Sequence, residues 1–313
     1  MTWKPPWRRC KRHNLPLLGE LEVVGLPRNI VRNAPLVSKE KMKNDSSKAI
    51  YLYCLTHSGH LWPIEGTGVD GKDPVFLHEF LDIVAVLSTV SLDEFCGASA
   101  ESRLQDLSWV GPRACRHEEV IEQVMRYSPV LPARFGTLFS SLDSLHKLLQ
   151  KHHDPILRFL GWVADKEEWS VKVLLDRATA KEERLSKVLS NESGRHASLS
   201  PGMRYFREQR IRADLEKELR GWLEEVCRKI VKDLSNYTAD FCRRRILAHG
   251  TTRSDADVVQ NWAFLIPRSA VPDFQTRIRE VSADYFPQGL VFELSGPWPP
   301  HSFSLSIEGE PES

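Results

Sequence analysis

Nine apolar residues, Ile211, Leu215, Leu219, Trp222, Val226, Ile230, Leu234, Tyr237 and Phe241, follow one another at intervals of three or four. That step lies close to the helical repeat, so it predicts one continuous apolar seam on a helix running over about 203–249. At 1.5 Å per residue the helix reaches on the order of 70 Å, more than a small domain can cover. It needs a partner helix. Residues 177–189, helical in pattern and joined to it through the polar stretch 190–202, are the nearest candidate. The expected element is a long antiparallel helical hairpin over about 177–249.

The segments on either side mix strand and helix periods. Residues 49–55 (AIYLYCL) are a β-branched and aromatic run of the buried-strand type. After a turn-rich stretch containing Gly66, Gly68 and Gly71, residues 74–78 and 81–89 read as a strand hairpin. Ser108 is placed to cap a helix over 109–127, in which Val110, Ala114, His117, Ile121, Val124 and Met125 share one stripe. VLPARFGTLF, after Pro129, reads as a strand returning to the same sheet. The order predicts a small α+β sandwich with helices on one face of one sheet.

Helices over 142–149 and 154–163 follow. The second half then reads strand 169–175, the helical hairpin, strand 258–266, helix 271–286, strand 290–294 and, after GPWPP, a short strand 302–307. A βα(α)βαβ order fits a ferredoxin-like plan with an antiparallel sheet. The expected organisation is an arm over 1–48, an α+β domain over 49–165, a second over 166–308 and a tail over 309–313.

The length of 313 residues suits two domains, and a hydrophobic share of 41% with 27% charged residues suits packed cores. The net charge of +1 projects no strong field toward nucleic acid or an anionic membrane, but it is unevenly spread. The first 48 residues carry about +7 and many prolines, which reads as a basic, mostly disordered arm; Met42, just before the first strand, is the alternative start. Cys10, Cys54, Cys96, Cys115, Cys227 and Cys242 show no CxxC and no paired spacing, which argues against a zinc cage or a redox motif and reads as reduced thiols. No apolar run is long enough for a membrane-spanning helix.

Candidate chemistry is sparse. HEEVIE begins with His117 and Glu118, but Ile121 stands where an HExxH zinc motif needs its second histidine. His152, His153 and Asp154 are adjacent and would point in different directions on a helix. Gly66 and Gly68 lack the rest of a phosphate-binding loop. Arg113, Arg116 and Arg134 could form a basic patch, and Arg243, Arg244 and Arg245 would complement the dipole at the end of the long helix. The arm, with Trp3 and Trp7, could contact RNA or acidic surfaces. No catalytic, cofactor-binding or metal-binding set emerges, and the binding residues are not defined.

Six blocks together resemble the gas vesicle protein F/L family (GvpF/GvpL): WVGPRACRHEEVIEQVM, PVLPARFGTLF, KEEWSVKVLLD, SPGMRYF, NWAFLIPR and GLVFELSGPWPPHSFS. They cover the chain from about residue 49 to 307. His301 stands where the pattern leads one to expect an aromatic residue, usually Tyr.

The resemblance implies a modified ferredoxin-like N-terminal domain, an α+β C-terminal domain with long helices, and a non-enzymatic accessory role in gas vesicle formation. Its implied partners are the hydrophobic major shell protein and other gas vesicle accessory proteins, with no cofactor, small-molecule substrate, membrane or nucleic acid. The implied location is the gas vesicle, with the cytoplasm as the site of assembly. Two other readings stand beside it: a generic α+β binding module whose basic arm contacts nucleic acid, and an acid–base enzyme using His117, Glu118 and Arg134.

Overall fold

The computed structural model of the chain describes residues 48–58, 64–95, 98–196, 201–246 and 256–305, and within these the side chains other than those of 98–101, 187–196, 201, 204–215 and 256. The arm, most of the stretch around Gly59 and Pro63, and the tail lie outside the described residues. The protein is α+β, with two antiparallel sheets that belong to two compact units, 48–165 with 299–305, and Lys166–Trp298.

In the first unit, β1 (Lys48–His57), β2 (Phe76–Phe80), β3 (Ile83–Ser91) and β4 (Val130–Pro132) form a sheet in the order β2-β3-β1-β4. A short β5 (Leu138–Phe139) also pairs with β1. VLPARFGTLF is therefore two short strands around a loop, because Arg134 to Thr137 closes a turn in which the Thr137 N–H donates to the Arg134 carbonyl at 3.1 Å. Two short helices, α1 (Leu92–Phe95) and α2 (Ala98–Gln105), lead to α3 (Leu107–Met125). The cap of α3 is Asp106, whose carboxylate accepts the Ser108 N–H at 2.9 Å, so the helix is capped two residues before the expected Ser108.

Val120, Ile121 and Val124 of α3 pack on Tyr51, Tyr53, Val86 and Val90 of the sheet, and Leu77 of β2 borders the same cluster. The next residue along β2, His78, points to the other face, where its ring stacks on His146 of α4 (Leu142–Val163). Helices thus cover both faces of this sheet, not one. The cause is legible in β1 and β3, which are buried nearly throughout rather than on alternate residues. Helix α4 joins two helical segments across a kink, in agreement with the two helices expected over 142–149 and 154–163. His152 (φ −112°, ψ 15°) leaves helical geometry, as expected ahead of Pro155, whose ring crowds the preceding turn.

In the second unit, β6 (Lys166–Asp176), β7 (Asp240–Arg243), β8 (Ala256–Pro267) and β9 (Leu290–Trp298) form a sheet in the order β7-β8-β6-β9. Helices α5 (Arg177–His196), α6 (Pro201–Leu234) and α7 (Val271–Tyr285) complete it. Val171, Val173, Trp262, Phe264 and Phe292 of the strands pack against Leu219, Val226, Ile230 and Leu234 of α6 and Phe274 and Ile278 of α7. The middle of the apolar seam is therefore core. Helices α5 and α6 meet through a Lys181–Glu216 ion pair and through Arg184, whose guanidinium lies 3.8 Å from the Trp222 ring centre.

The seam outlasts its helix. Helix α6 stops at Leu234, a 3₁₀ turn follows over Ser235–Tyr237, and β7 begins at Asp240. Ser235 turns its hydroxyl back onto the Val231 carbonyl at 2.7 Å, a bond that competes with continued helix. Tyr237 and Phe241 still border the same core, from a turn and a strand, so their spacing mimics a helical step. Arg243, Arg244 and Arg245 accordingly lie on and after β7 and are not at a helix end. Strand β9 runs on through Gly296 and a cis Gly296–Pro297 bond to Trp298. Gly296 (φ 145°) lies against Trp169, whose ring would come within 2.9 Å of any added Cβ. Residues 302–307 were expected as a strand in the second domain; His301–Phe303 is a 3₁₀ turn, and residues 299–305 cluster with the first unit.

Candidate functional site

His117 lies on the core stripe of α3 and is buried among Tyr51, Tyr53 and Phe135. Its Nε2 is 3.1 Å from the Ala133 carbonyl, which can only accept, so Nε2 carries the proton. Burial holds the imidazole neutral, its pKa pushed down to about 4, which leaves Nδ1 to accept from the Tyr51 hydroxyl at 3.0 Å. The Tyr51 oxygen in turn accepts the Gly136 N–H at 3.0 Å. One relay thus joins β1, α3 and the ARFG turn, with both ring nitrogens engaged.

Glu118 faces elsewhere. Its carboxylate meets His301 Nε2 at 3.1 Å, with the Glu118 side chain 17% exposed. Burial works to raise its pKa, but the charge and hydrogen bond of His301 outweigh it and hold the group below the usual range. Arg134, the third member of the acid–base set, lies on the surface of its turn. The structure does not gather His117, Glu118 and Arg134 around a common reacting centre.

The arginines of α3 are spent on structure rather than assembled into a patch. Arg113 stacks on Trp109 at 4.1 Å from the ring centre and pairs with Glu94 at 3.4 Å. Arg116 donates to the carbonyls of Thr67 and Glu65 at 2.6 and 2.7 Å, and Gln123 accepts the Glu65 N–H at 3.0 Å. These long side chains fasten the loop that holds Gly66 and Gly68. Gly68 itself is fixed by close approach: a Cβ there would come within 2.7 Å of the Ser88 hydroxyl. His152 and His153 sit at the α4 kink, where His153 Nδ1 meets Asp154 at 3.1 Å.

Sequence reasoning missed three polar pairings. Glu168, fully buried on β6, pairs with Arg244, which also donates to Ser170 Oγ at 3.1 Å. His78 and His146 approach to 2.7 Å between Nε2 atoms. Tyr51 is the buried partner of His117. The available signal was a polar residue on an otherwise apolar face, as with His117 on the core stripe of its helix. Among the described residues no group of three or more His, Cys, Asp or Glu is arranged to hold a metal ion. Cys54 and Cys227 are buried free thiols, and no described helix is long and apolar enough to cross a membrane.

Fold and polar contacts together define a two-unit α+β protein whose buried polar side chains tie strands, helices and turns to one another. Residues 49–304 match the sequence profile of gas vesicle synthesis protein GvpL/GvpF, and the chain belongs to that family. It is 27% identical over 274 residues to gas vesicle protein L of Streptomyces sp. (strain CB03234), covering 84% of this chain and 94% of the relative. With gas vesicle protein L1 of Halobacterium salinarum it shares 22% identity over 271 residues, covering 83% and 92% of the two chains.

Among solved structures, the gas vesicle protein GvpF from Anabaena sp. PCC7120 matches at a TM-score of 0.60 and 18% identity, over 85% of this chain and all of that one. GvpF from Microcystis aeruginosa matches at 0.54 and 18% identity, over 82% and 98%. These likenesses concern the fold. Family membership supports a role in gas vesicle formation.

Proposed function

We propose that the chain is a non-enzymatic accessory protein that binds the hydrophobic major shell protein during nucleation or growth of the vesicle wall. It acts in the cytoplasm during assembly, alongside other gas vesicle accessory proteins, and ends at or in the vesicle. The observation that carries this reading is the free edge of the first sheet. Strand β2 has a partner on one side only among the described residues, and it exposes Phe76 (36%). The hairpin tip beside it exposes Leu81 (68%) at φ 53°, a left-handed conformation that a leucine adopts at a cost. Apolar side chains beside unpaired strand edges favour strand addition by an apolar partner.

The α5–α6 pair, read as a helical hairpin, is the second docking mode. The same strand order in both sheets, with the second strand at one edge followed by the third, first and fourth, supports reading both units as ferredoxin-like. The reading of residues 1–48 as a separate arm belongs to the same proposal.

The test is a pull-down of shell protein by the full chain, by a Phe76→Lys/Leu81→Lys variant and by a chain lacking the helix pair. Loss of capture in the β2 variant alone supports strand addition. Loss only on removing the helix pair moves the site there, and undiminished capture by both overturns both modes. In cells, gene deletion should abolish vesicles, with complementation from Met1 and from Met42 reporting whether the arm is needed. Salt-sensitive retention on RNA that disappears without residues 1–41 would favour the nucleic-acid reading instead.

A further inference from the structure

Along β2, His78 and Phe80 share the face turned to α4, two residues apart as strand alternation requires. His146 of α4 meets both. Its ring centre lies 4.8 Å from that of Phe80, and its Nε2 lies 2.7 Å from Nε2 of His78. The two imidazole centres are 5.0 Å apart, farther than the nitrogens, so both Nε2 atoms point into one small volume. Across the hairpin His78 stands opposite the small Ala85, and on α4 the buried Leu145 and Leu149 flank His146 and fix the rotation of the helix.

We propose that His78 and His146 form a two-histidine site for a divalent transition ion of the zinc, nickel or copper type, with water completing its coordination. Imidazole nitrogens suit these ions. Two of them bound in neighbouring positions at about 2.0–2.1 Å from one ion lie roughly 3 Å apart, close to the 2.7 Å between these nitrogens. Without an ion, one ring donates its Nε2–H to the other. An ion takes both lone pairs, and each ring then holds its proton on Nδ1, the neutral form that ligates. Burial, and then the neighbouring His146, lower the His78 pKa, which favours that form. Among the described residues no third His, Cys, Asp or Glu joins the pair, and both rings are half-buried, so the other ligands come from solvent.

Strand and helix supply one ligand each, so a bound ion fastens the β2–β3 hairpin to α4. The hairpin has a second tie to the same helix: His153 Nε2 lies 3.8 Å from Asp82 at the turn, and His153 Nδ1 lies 3.1 Å from Asp154. Replacing His78 or His146 leaves that anchor in place.

Calorimetric titration of the full chain with zinc chloride should show a binding event that weakens by about tenfold or more in His78→Asn and in His146→Asn, and that His152→Asn/His153→Asn retains. Zinc should also raise the amide protection of β2 and β3, relative to α7, in the parent and in neither single variant. Electron paramagnetic resonance of substoichiometric Cu²⁺ tests the parent without any substitution, and coupling to two ring nitrogens is expected. Zinc binding unchanged in both single variants, binding lost equally in the His152/His153 variant, or a parent copper spectrum without two-nitrogen coupling would overturn the proposal.

Discussion

The hydroxyl of Tyr51 and Nδ1 of His117 lie 3.0 Å apart, across the interface between the central strand of the first sheet and the helix on its face. Because Tyr51 also accepts from Gly136, one phenol satisfies two buried groups. Tyr51→Phe keeps the ring and removes both bonds, so an imidazole nitrogen and an amide N–H are left without that partner. At about 1–3 kcal/mol for each unsatisfied buried group, the loss should be roughly 2–6 kcal/mol. Urea unfolding should show a lower midpoint with little change in slope. The double variant Tyr51→Phe/His117→Leu should lose less than the two single effects combined, and strict additivity would show the two residues to be uncoupled.

The pH dependence of stability should contain two opposed contributions from one helix. The His117 ring titrates near 4 when folded against an ordinary 6.5, so the unfolded chain binds more protons between those values. Stability from this group falls as pH drops from 6.5 to 4, by on the order of 3 kcal/mol. Glu122 is raised from 4.5 to about 7, so its contribution falls as pH rises over that span. Where the windows overlap the slopes oppose. Glu122→Gln should therefore unmask a stability that rises between pH 4.5 and 6.5, read by denaturant midpoints at several pH values. A variant profile parallel to the parent's would count against this assignment.

Local periodicity made most elements legible, and tertiary pairing decided where they end. Leu219, Trp222, Val226, Ile230 and Leu234 could be placed on one helix because burial against a single sheet imposes a helical step. Tyr237 and Phe241 kept the step while the backbone changed, since a residue bordering a core can do so from a helix, a turn or a strand. The second helical face of the first sheet was hidden because an unbroken apolar run such as IVAVL carries no alternation from which to count buried faces. The polar contacts were least legible. His301 and Glu118 meet across a sequence separation of 183, and Arg244 and Glu168 across 76. No local pattern encodes such pairs.

Gly68 should resist even the smallest substitution. An alanine methyl there would come within 2.7 Å of Ser88 Oγ and 2.9 Å of the Tyr53 hydroxyl, and that hydroxyl accepts the Val69 N–H. Relief requires the loop to lift from the sheet, which strains the Arg116 contacts to Glu65 and Thr67. Overpacking of this kind costs about 1–3 kcal/mol. Gly71→Ala, where no atom lies within 4 Å but φ is 74°, should report the backbone penalty alone. Thermal unfolding of the two variants reports each cost separately, and a Gly68→Ala variant as stable as the parent would mean that the close approach is relieved without cost.

The Glu168–Arg244 pair should behave as a buried ion pair, with large losses when one side is removed. Glu168 is fully buried and the Arg244 side chain is 14% exposed, so neither charge is well solvated. The ion pair, with the bonds from Arg244 to Ser170 Oγ and from its N–H to the Asn261 carbonyl, fastens the end of β7 to the sheet. Arg244→Met removes the cation and leaves a carboxylate in low dielectric, a change that costs about 3–5 kcal/mol in comparable sites. Glu168→Gln in the Arg244→Met background should recover much of that loss, because it removes the stranded charge while keeping shape. Recovery would identify desolvation of Glu168 as the dominant cost. Without it, the guanidinium acts chiefly through its bonds to Ser170 and the strand, and β7 should then fray, which amide exchange at Phe241 and Cys242 would register.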